Sequence, residues 1–529
     1  MDNLAVTLRK NRTRILTLIV LLLLFIAAVR GLSTKDWIIT TLRGFSVGAV
    51  TFLVAAGFSI ILGLMDVLNL AHGTLFMIGA YVGWSVYVRP DTFVDLLTPL
   101  LLIAAGFLLQ PLWDRILQRA RLPHRVAQTW PWVGLGLGAA VLVLVMSRAP
   151  LAMWDWQSYT DSPIVWTQNF EAGNVGAMAQ AARFEGLSPV IGLAGLVLAG
   201  AVISASLAGV NRRRGGPAMS GDALHIPWGS VAIAAALAAG GLLVFLANDG
   251  LTAWLLRIDT TWLFLIAIVA ATLSGAGLGA LMESTLIRPL YDRGIYQIMM
   301  TFGLSFVGIE IVRAIWGRQG FTMPRPSLFA GAGEGCPATD LAGWLAHKCS
   351  TIQLTIGGET TRIRTYNEVF LILVGLAVLI GVWLLIQRTR LGMVIRAGVQ
   401  DSEMVQALGI NVRQVFTLVF ALGVAIAALG GVLAGPSSGL SNAMGEHLLL
   451  GALVALAVGG LTSYPGAAVG SVLVGLLQQF IIKYGQVGIK IPFLEQPFKP
   501  TPPLVPASTV LLMIIILVIM PHGLLGKKE

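Results

Sequence analysis

The residues able to do chemistry in this chain are few, and most sit where apolar runs begin or end. One group lies in D-V-L-N-L-A-H-G, where Asp66, Asn69, His72 and Gly73 interrupt a hydrophobic stretch from Ile60 to Trp84. A helix broken at membrane depth is tolerated only where its free backbone groups face protein or a wet cavity, and such breaks mark substrate sites in transporters. The same residues also suit an ordinary tight turn, and composition does not separate the two readings. The second group is a polar island from Arg388 to Arg413. Asp401 is a good N-cap for a short helix from Ser402 to Leu408, with Met404, Val405 and Leu408 expected along one side. Gly409 can take the left-handed conformation that ends it. Two helical turns are not stable alone, so the apolar side must rest on a partner or in the lipid interface.

Other ionisable groups in or near apolar runs are Glu283, Glu310 and the pair Glu446–His447. Glu310 and Arg313, three apart on a helix, can neutralise each other. There is no G-x-x-x-x-G-K-[ST] phosphate loop, no H-E-x-x-H and no paired Cys/His spacing. The sequence therefore points to no catalytic, metal or cofactor site. Nor does it show a means of powering transport by itself.

The elements that must position these residues are membrane helices. Of 529 residues, 56% are hydrophobic and 11% charged, with 61 glycines; the mean hydropathy is +0.82. Soluble domains carry about 25% charged residues, and many apolar runs here reach the roughly 20 residues that cross a bilayer. The reading is an all-α, polytopic transmembrane bundle of about 14 spans. They fall near 15–32, 41–64, 71–88, 97–112, 131–147, 188–209, 227–247, 260–281, 295–315, 367–386, 414–435, 446–461, 467–484 and 506–521. The fourth is short enough to be re-entrant. The first follows Arg9, Lys10, Arg12 and Arg14 and reads as an uncleaved span rather than a signal peptide.

With both termini inside, the inner segments hold 19 of the 35 Lys and Arg and 9 of the 25 acids, a balance of +10 against zero outside. That is the positive-inside bias, so the net charge of +10 is a topology signal and does not call for nucleic acid as a partner. On the inner face, Arg288 and Arg293 read as topology anchors. Two outer segments are long. Residues 148–187 carry Trp154, Trp156, Tyr159 and Trp166, an expected aromatic belt at the interface, with a partner-docking surface as the other reading. Residues 317–366 hold the only cysteines, Cys336 and Cys349. In an oxidising compartment a disulfide between them would contribute about 3 kcal/mol by loop closure.

Six segments in order carry a resemblance: N-L-A-H-G-T-L-F-M-I-G-A-Y (69–81), I-R-P-L-Y (287–291), I-M-M-T-F-G-L-S (298–305), R-A-G-V-Q-D-S-E-M-V-Q-A-L-G-I-N (396–411), G-G-L-T-S-Y-P-G-A-A-V-G (459–470) and P-H-G-L-L-G (521–526). The chain resembles the membrane permease subunits of ABC importers for branched-chain amino acids, a family that includes urea-type permeases. The resemblance covers roughly 38–90 and 260–526. It implies a ten-span core in two parts, 1–90 and 260–529, and makes 91–259 an insertion of four spans.

It further implies that 388–413 holds the cytoplasmic coupling segment for a separate ATPase subunit. Arg396, Ala397, Asp401, Met404, Leu408, Gly409 and Ile410 fall on the family pattern. Met404 and Leu408 are expected to fill a groove on the ATPase, Gly409 to turn the chain, and Arg396 and Asp401 to fix orientation. Asn69, His72 and Gly73 are candidates for the substrate path. The implied setting is the inner membrane of a prokaryote, with a second permease subunit and an extracytoplasmic solute-binding protein as partners. The substrate would be a hydrophobic amino acid. Urea or a short amide, or an ATP-independent channel or carrier, are the alternatives.

Overall fold

The computed structural model describes residues 12–119, 123–149, 162, 165, 188–213, 228–291, 293–356, 358–489 and 496–526. The aromatic segment with Trp154, Trp156, Tyr159 and Trp166 lies outside the described residues, as do Arg9, Lys10, Arg121, Arg214, Lys527 and Lys528 of the charge count. Close packing of small residues builds what is described. The chain forms two compact units, one from residues 1–87 and 259–529, the other from 88–258.

The first unit begins with α1 (Arg12–Arg30), α2 (Thr34–Met65) and α3 (His72–Val88). Helix α2 starts seven residues before the expected span because Ser33 caps it, its side chain accepting from the Asp36 N–H at 3.2 Å. It ends at Asp66, which adopts the left-handed conformation at φ 53°. The second unit contains α4 (Pro90–Phe107), α5 (Gln110–Arg119), α6 (His124–Met146), α7 (Pro189–Arg213), α8 (Trp228–Leu246) and α9 (Asn248–Arg257). Pro90 at the first position sets the start of α4. In this unit α7 packs on α4 and α6, with Leu102, Val145 and Leu196 buried between them.

The first unit resumes with α10 (Thr260–Met282), which runs on through a π-helical turn at Glu283–Ile287, and α11 (Gly294–Trp316). The predicted outer segment 317–366 then forms a small ordered cap. It contains α12 (Leu341–His347) and an antiparallel hairpin of β1 (Thr351–Ile356) and β2 (Glu359–Arg364), with Thr351 opposite Arg364. This hairpin is the one sheet among the described residues of an otherwise helical chain. Cys336 and Cys349 form a disulfide within this cap. A second π-helical turn, Thr365–Phe370, leads into α13 (Leu371–Arg388). Then come α14 (Arg390–Gln400), α15 (Ser402–Ala407), α16 (Val412–Ser438), α17 (Met444–Gly459), α18 (Tyr464–Val487) and α19 (Leu504–Ile519).

Helix α2 is the axis of the first unit: Thr51 to Ile61 are all buried. It lies against α18 through Gly44 and Gly48, four apart, which face Leu476 and Val472; a Cβ on Gly475 would strike the Gly44 carbonyl. The small-xxx-small spacing that brings helices together in lipid recurs. Gly275 and Gly279 of α10 meet Ala428 and Val424 of α16, and Gly466 and Gly470 of α18 meet Gly459 and Ala455 of α17. All fourteen expected spans fall on helices, and ten helices among the described residues are long and apolar enough to cross a membrane by length and composition.

Candidate functional site

The polar island folds as two short helices hinged on one residue. Asp401 donates its backbone N–H to Ala397 O at 3.0 Å, closing α14, and its carboxylate accepts the Met404 N–H at 2.9 Å, opening α15. Gly409 ends the turn at φ +84°, and the Ile410 N–H reaches back to Val405 O. Arg396 donates to the Gln387 side chain, which ties α14 to the end of α13. Ala397 and Ile410 are half-buried.

Met404 and Leu408 point outward, 62% and 71% exposed, whereas Val405 is buried. The expected shared face of Met404, Val405 and Leu408 therefore splits. Positions 404 and 408 stack one turn apart, while 405 is rotated by about 100° and packs inward. The result is a capped helical turn that holds two large apolar side chains away from the body of the protein.

The island leads directly into α16, whose first turns are fixed by a buried carboxylate. Glu283, in the π-helical turn after α10, has a fully buried side chain and accepts from Arg288 Nη2 at 2.8 Å, Tyr291 OH at 2.6 Å and Thr417 Oγ1 at 2.6 Å. Arg288 thus does more than the topology anchoring expected of it. With Tyr291, it joins the I-R-P-L-Y segment to the base of α16.

The break between α2 and α3 is a packed junction. Asn69 and His72 are 1% and 0% exposed. Asn69 Oδ1 accepts the Ala71 N–H, and Thr301 Oγ1 accepts the Leu70 N–H. The His72 ring stands edge-on to Phe58 and against Gly57, and neither ring nitrogen makes a hydrogen bond of normal geometry among the described residues. Gly73 touches the backbone of Gly445, where a side chain would not fit.

A cavity of about 640 Å³ opens at the other end of α16, and Asn69, His72 and Gly73 line no part of it. Its walls come from α2 (Arg43, Val50), α3 (Phe76), the turn before α13 (Asn367, Glu368), the end of α16 (Ser438) and α17 (Leu448). That volume is in the range of small-molecule sites. Glu368 is 1% exposed and ion-paired to Arg43 Nε at 3.0 Å. Arg364 and His447 are the other ionisable side chains on the wall. Sequence reasoning passed over Arg43 and Glu368. The signal was available, because each is a lone charge within a few residues of a span end, and charges at membrane depth are costly unless functional. Among the described residues, no group of three or more His, Cys, Asp or Glu is placed to hold a metal.

Helices of this length and apolarity define a multi-pass membrane protein. The profile of the family described as branched-chain amino acid transport system / permease component matches residues 228–521. The chain belongs to that family. The high-affinity branched-chain amino acid transport system permease protein LivH of Salmonella typhimurium is 27% identical over 278 residues, covering 52% of this chain and 79% of LivH. LivH of Escherichia coli K12 matches to the same extent. The corresponding permease protein BraD of Pseudomonas aeruginosa is 34% identical over 169 residues, 32% of this chain and 50% of BraD. No solved structure matches the chain.

Proposed function

We propose that this chain is the permease subunit of an ATP-driven, binding-protein-dependent importer in the inner membrane of a prokaryote, carrying branched-chain or other hydrophobic amino acids. The observation that carries this reading is the pair Met404 and Leu408, exposed on a turn that Asp401 caps and Gly409 closes. Two large apolar side chains held out by dedicated backbone devices are anchors for a partner's pocket. A chain without a phosphate loop needs that partner to be the ATPase.

The mechanism follows from connectivity. The coupling turn is continuous with α16, whose 27 residues extend about 40 Å at 1.5 Å per residue. The Glu283 network grips the first turns of this helix, and the cavity lies beside its last turn. A displacement imposed at Met404 and Leu408 is carried along α16 to its last turn, which contains Pro436 and borders the cavity. ATP binding in the partner would shift the population between states in which the cavity faces one side or the other. A second permease subunit and an extracytoplasmic binding protein complete the assembly, with both termini of this chain in the cytoplasm. Copurification tests the reading. The unmodified chain should retain an ATPase subunit through purification, and Met404→Asp or Leu408→Asp should lose it. Uptake that persists in ATPase-free liposomes would leave the channel or carrier reading in its place.

A further inference from the structure

We infer that the cavity beside α16 is a substrate station that recognises both charges of a free α-amino acid and holds its side chain on an apolar wall. This deepens the permease reading above and rests on it. Three observations point to a zwitterion. Glu368 is an almost fully buried carboxylate, held by Arg43 Nε at 3.0 Å and by the Arg364 backbone N–H at 2.9 Å. Arg43, by contrast, is 47% exposed, and among the described residues its guanidinium is bonded through Nε alone, so its outer nitrogens are free for a carboxylate.

Between them in function lies Asn367, whose buried Oδ1 has no hydrogen-bond partner. A buried acceptor left unpaired costs about 1–3 kcal/mol, and an ammonium group offers three donors. Asn367 and Glu368 occupy a π-helical turn, Thr365–Phe370, an insertion that re-aims side chains and is frequent at functional sites. Two helix ends of opposite polarity also border the cavity: the carboxyl end of α16 at Ser438 and the amino end of α17 at Met444. Broken helices use such ends for opposite charges.

One patch of the wall is apolar, Val50, Phe76 and Leu448, beside polar side chains that include Gln478 and Gln479. That patch offers area to a branched aliphatic chain. The expected ligand is thus a monoamino, monocarboxylic acid with an apolar side chain.

A thiol placed on the wall reports occupancy. No free cysteine is present, so Ser441→Cys, at an exposed position lining the cavity, gives a unique target for a membrane-impermeant maleimide in the assembled, reconstituted complex. L-leucine should slow labelling at least fivefold. Leucinamide, which lacks the carboxylate, and 4-methyl-2-oxopentanoate, which lacks the ammonium, should not. In uptake assays, Glu368→Gln should raise KM for leucine at least tenfold. If that variant fails to assemble, Asn367→Leu, which removes an acceptor without a partner to disturb, should still raise KM. Leucine uptake by the unmodified complex with no protection of the thiol, or equal protection by all three compounds, would overturn the cavity assignment alone. An unmodified complex that carries no amino acid would overturn the assignment together with the permease reading beneath it.

Discussion

Thr417, on the second turn of α16, donates its hydroxyl to the carboxylate of Glu283 at 2.6 Å across 134 positions of sequence. Because Arg288 and Tyr291 share the same carboxylate, one buried group ties the π-helical turn after α10 to the helix that follows the proposed coupling segment. Removing it strands Arg288 and Tyr291. Glu283→Ala should destabilise the protein by about 3 kcal/mol, and Thr417→Val by about 2, both read as lower melting temperatures in detergent. The sharper expectation is functional: Thr417→Val should retain the ATPase yet lower transport per ATP hydrolysed, since docking is intact and the link to α16 is loosened.

The coupling turn should behave as two anchors on a capped support. Truncating Leu408 or Met404 to Ala should weaken ATPase binding by about 1–2 kcal/mol each, roughly tenfold in Kd, measured by titration of the purified ATPase. Asp401→Ala should cost about 1 kcal/mol of local helix stability and weaken binding through loss of shape. Asp401→Asn, which keeps a capping oxygen, should restore most of it.

Close helix contacts make a testable contrast among glycines. A Cβ on Gly57 would collide with the Gly423 carbonyl and reach His72 Nε2 at 2.8 Å, whereas one on Gly381 meets nothing within 4 Å. Gly57→Ala should lower stability by about 1–3 kcal/mol. Gly381→Ala should be neutral or raise it by up to about 1 kcal/mol through helix propensity. Paired melting curves decide this.

The cap of the first unit should respond to reduction and to acid. Loss of the Cys336–Cys349 link, 13 residues apart, should cost about 3 kcal/mol, seen as an earlier melt in reductant that a Cys336→Ser, Cys349→Ser protein reproduces without it. Asp259 is partly buried, which opposes ionisation. Hydrogen bonds from Ser327, the Thr261 N–H and hydroxyl, and Lys348 outweigh this and hold its carboxyl below the usual range. A depressed folded pKa means that the stabilisation is complete above the ordinary carboxylate pKa of about 4. It is lost as pH falls through the lower folded value. Asp259→Asn should remove that part of the acid sensitivity.

Much of this was legible from residue type. Spans, capping by Asp401 and the turn at Gly409 follow from local rules, because apolar length, a short acceptor and a glycine act on their own neighbourhoods. The start of α2 moved for the same kind of reason, a serine cap that the hydropathy of the span hid. What was not legible depends on distant residues meeting. Val405 turned inward because α15 packs on its own protein, which a helical wheel does not reveal. Asn69 and His72 are legible as polar residues at a helix break, but the neighbours that surround that junction, Phe58, Thr301 and Gly445, come from distant stretches of sequence. Arg43 and Glu368 are 325 positions apart, and no spacing rule links them.

The most direct measurement is leucine uptake into proteoliposomes holding this chain with its permease and ATPase partners, fed by the binding protein, with and without Leu408→Asp. The account predicts uptake that requires ATP, tracks its hydrolysis, and is abolished by Leu408→Asp as the ATPase dissociates. Uptake that continues without ATP, or that Leu408→Asp leaves unchanged, would contradict it.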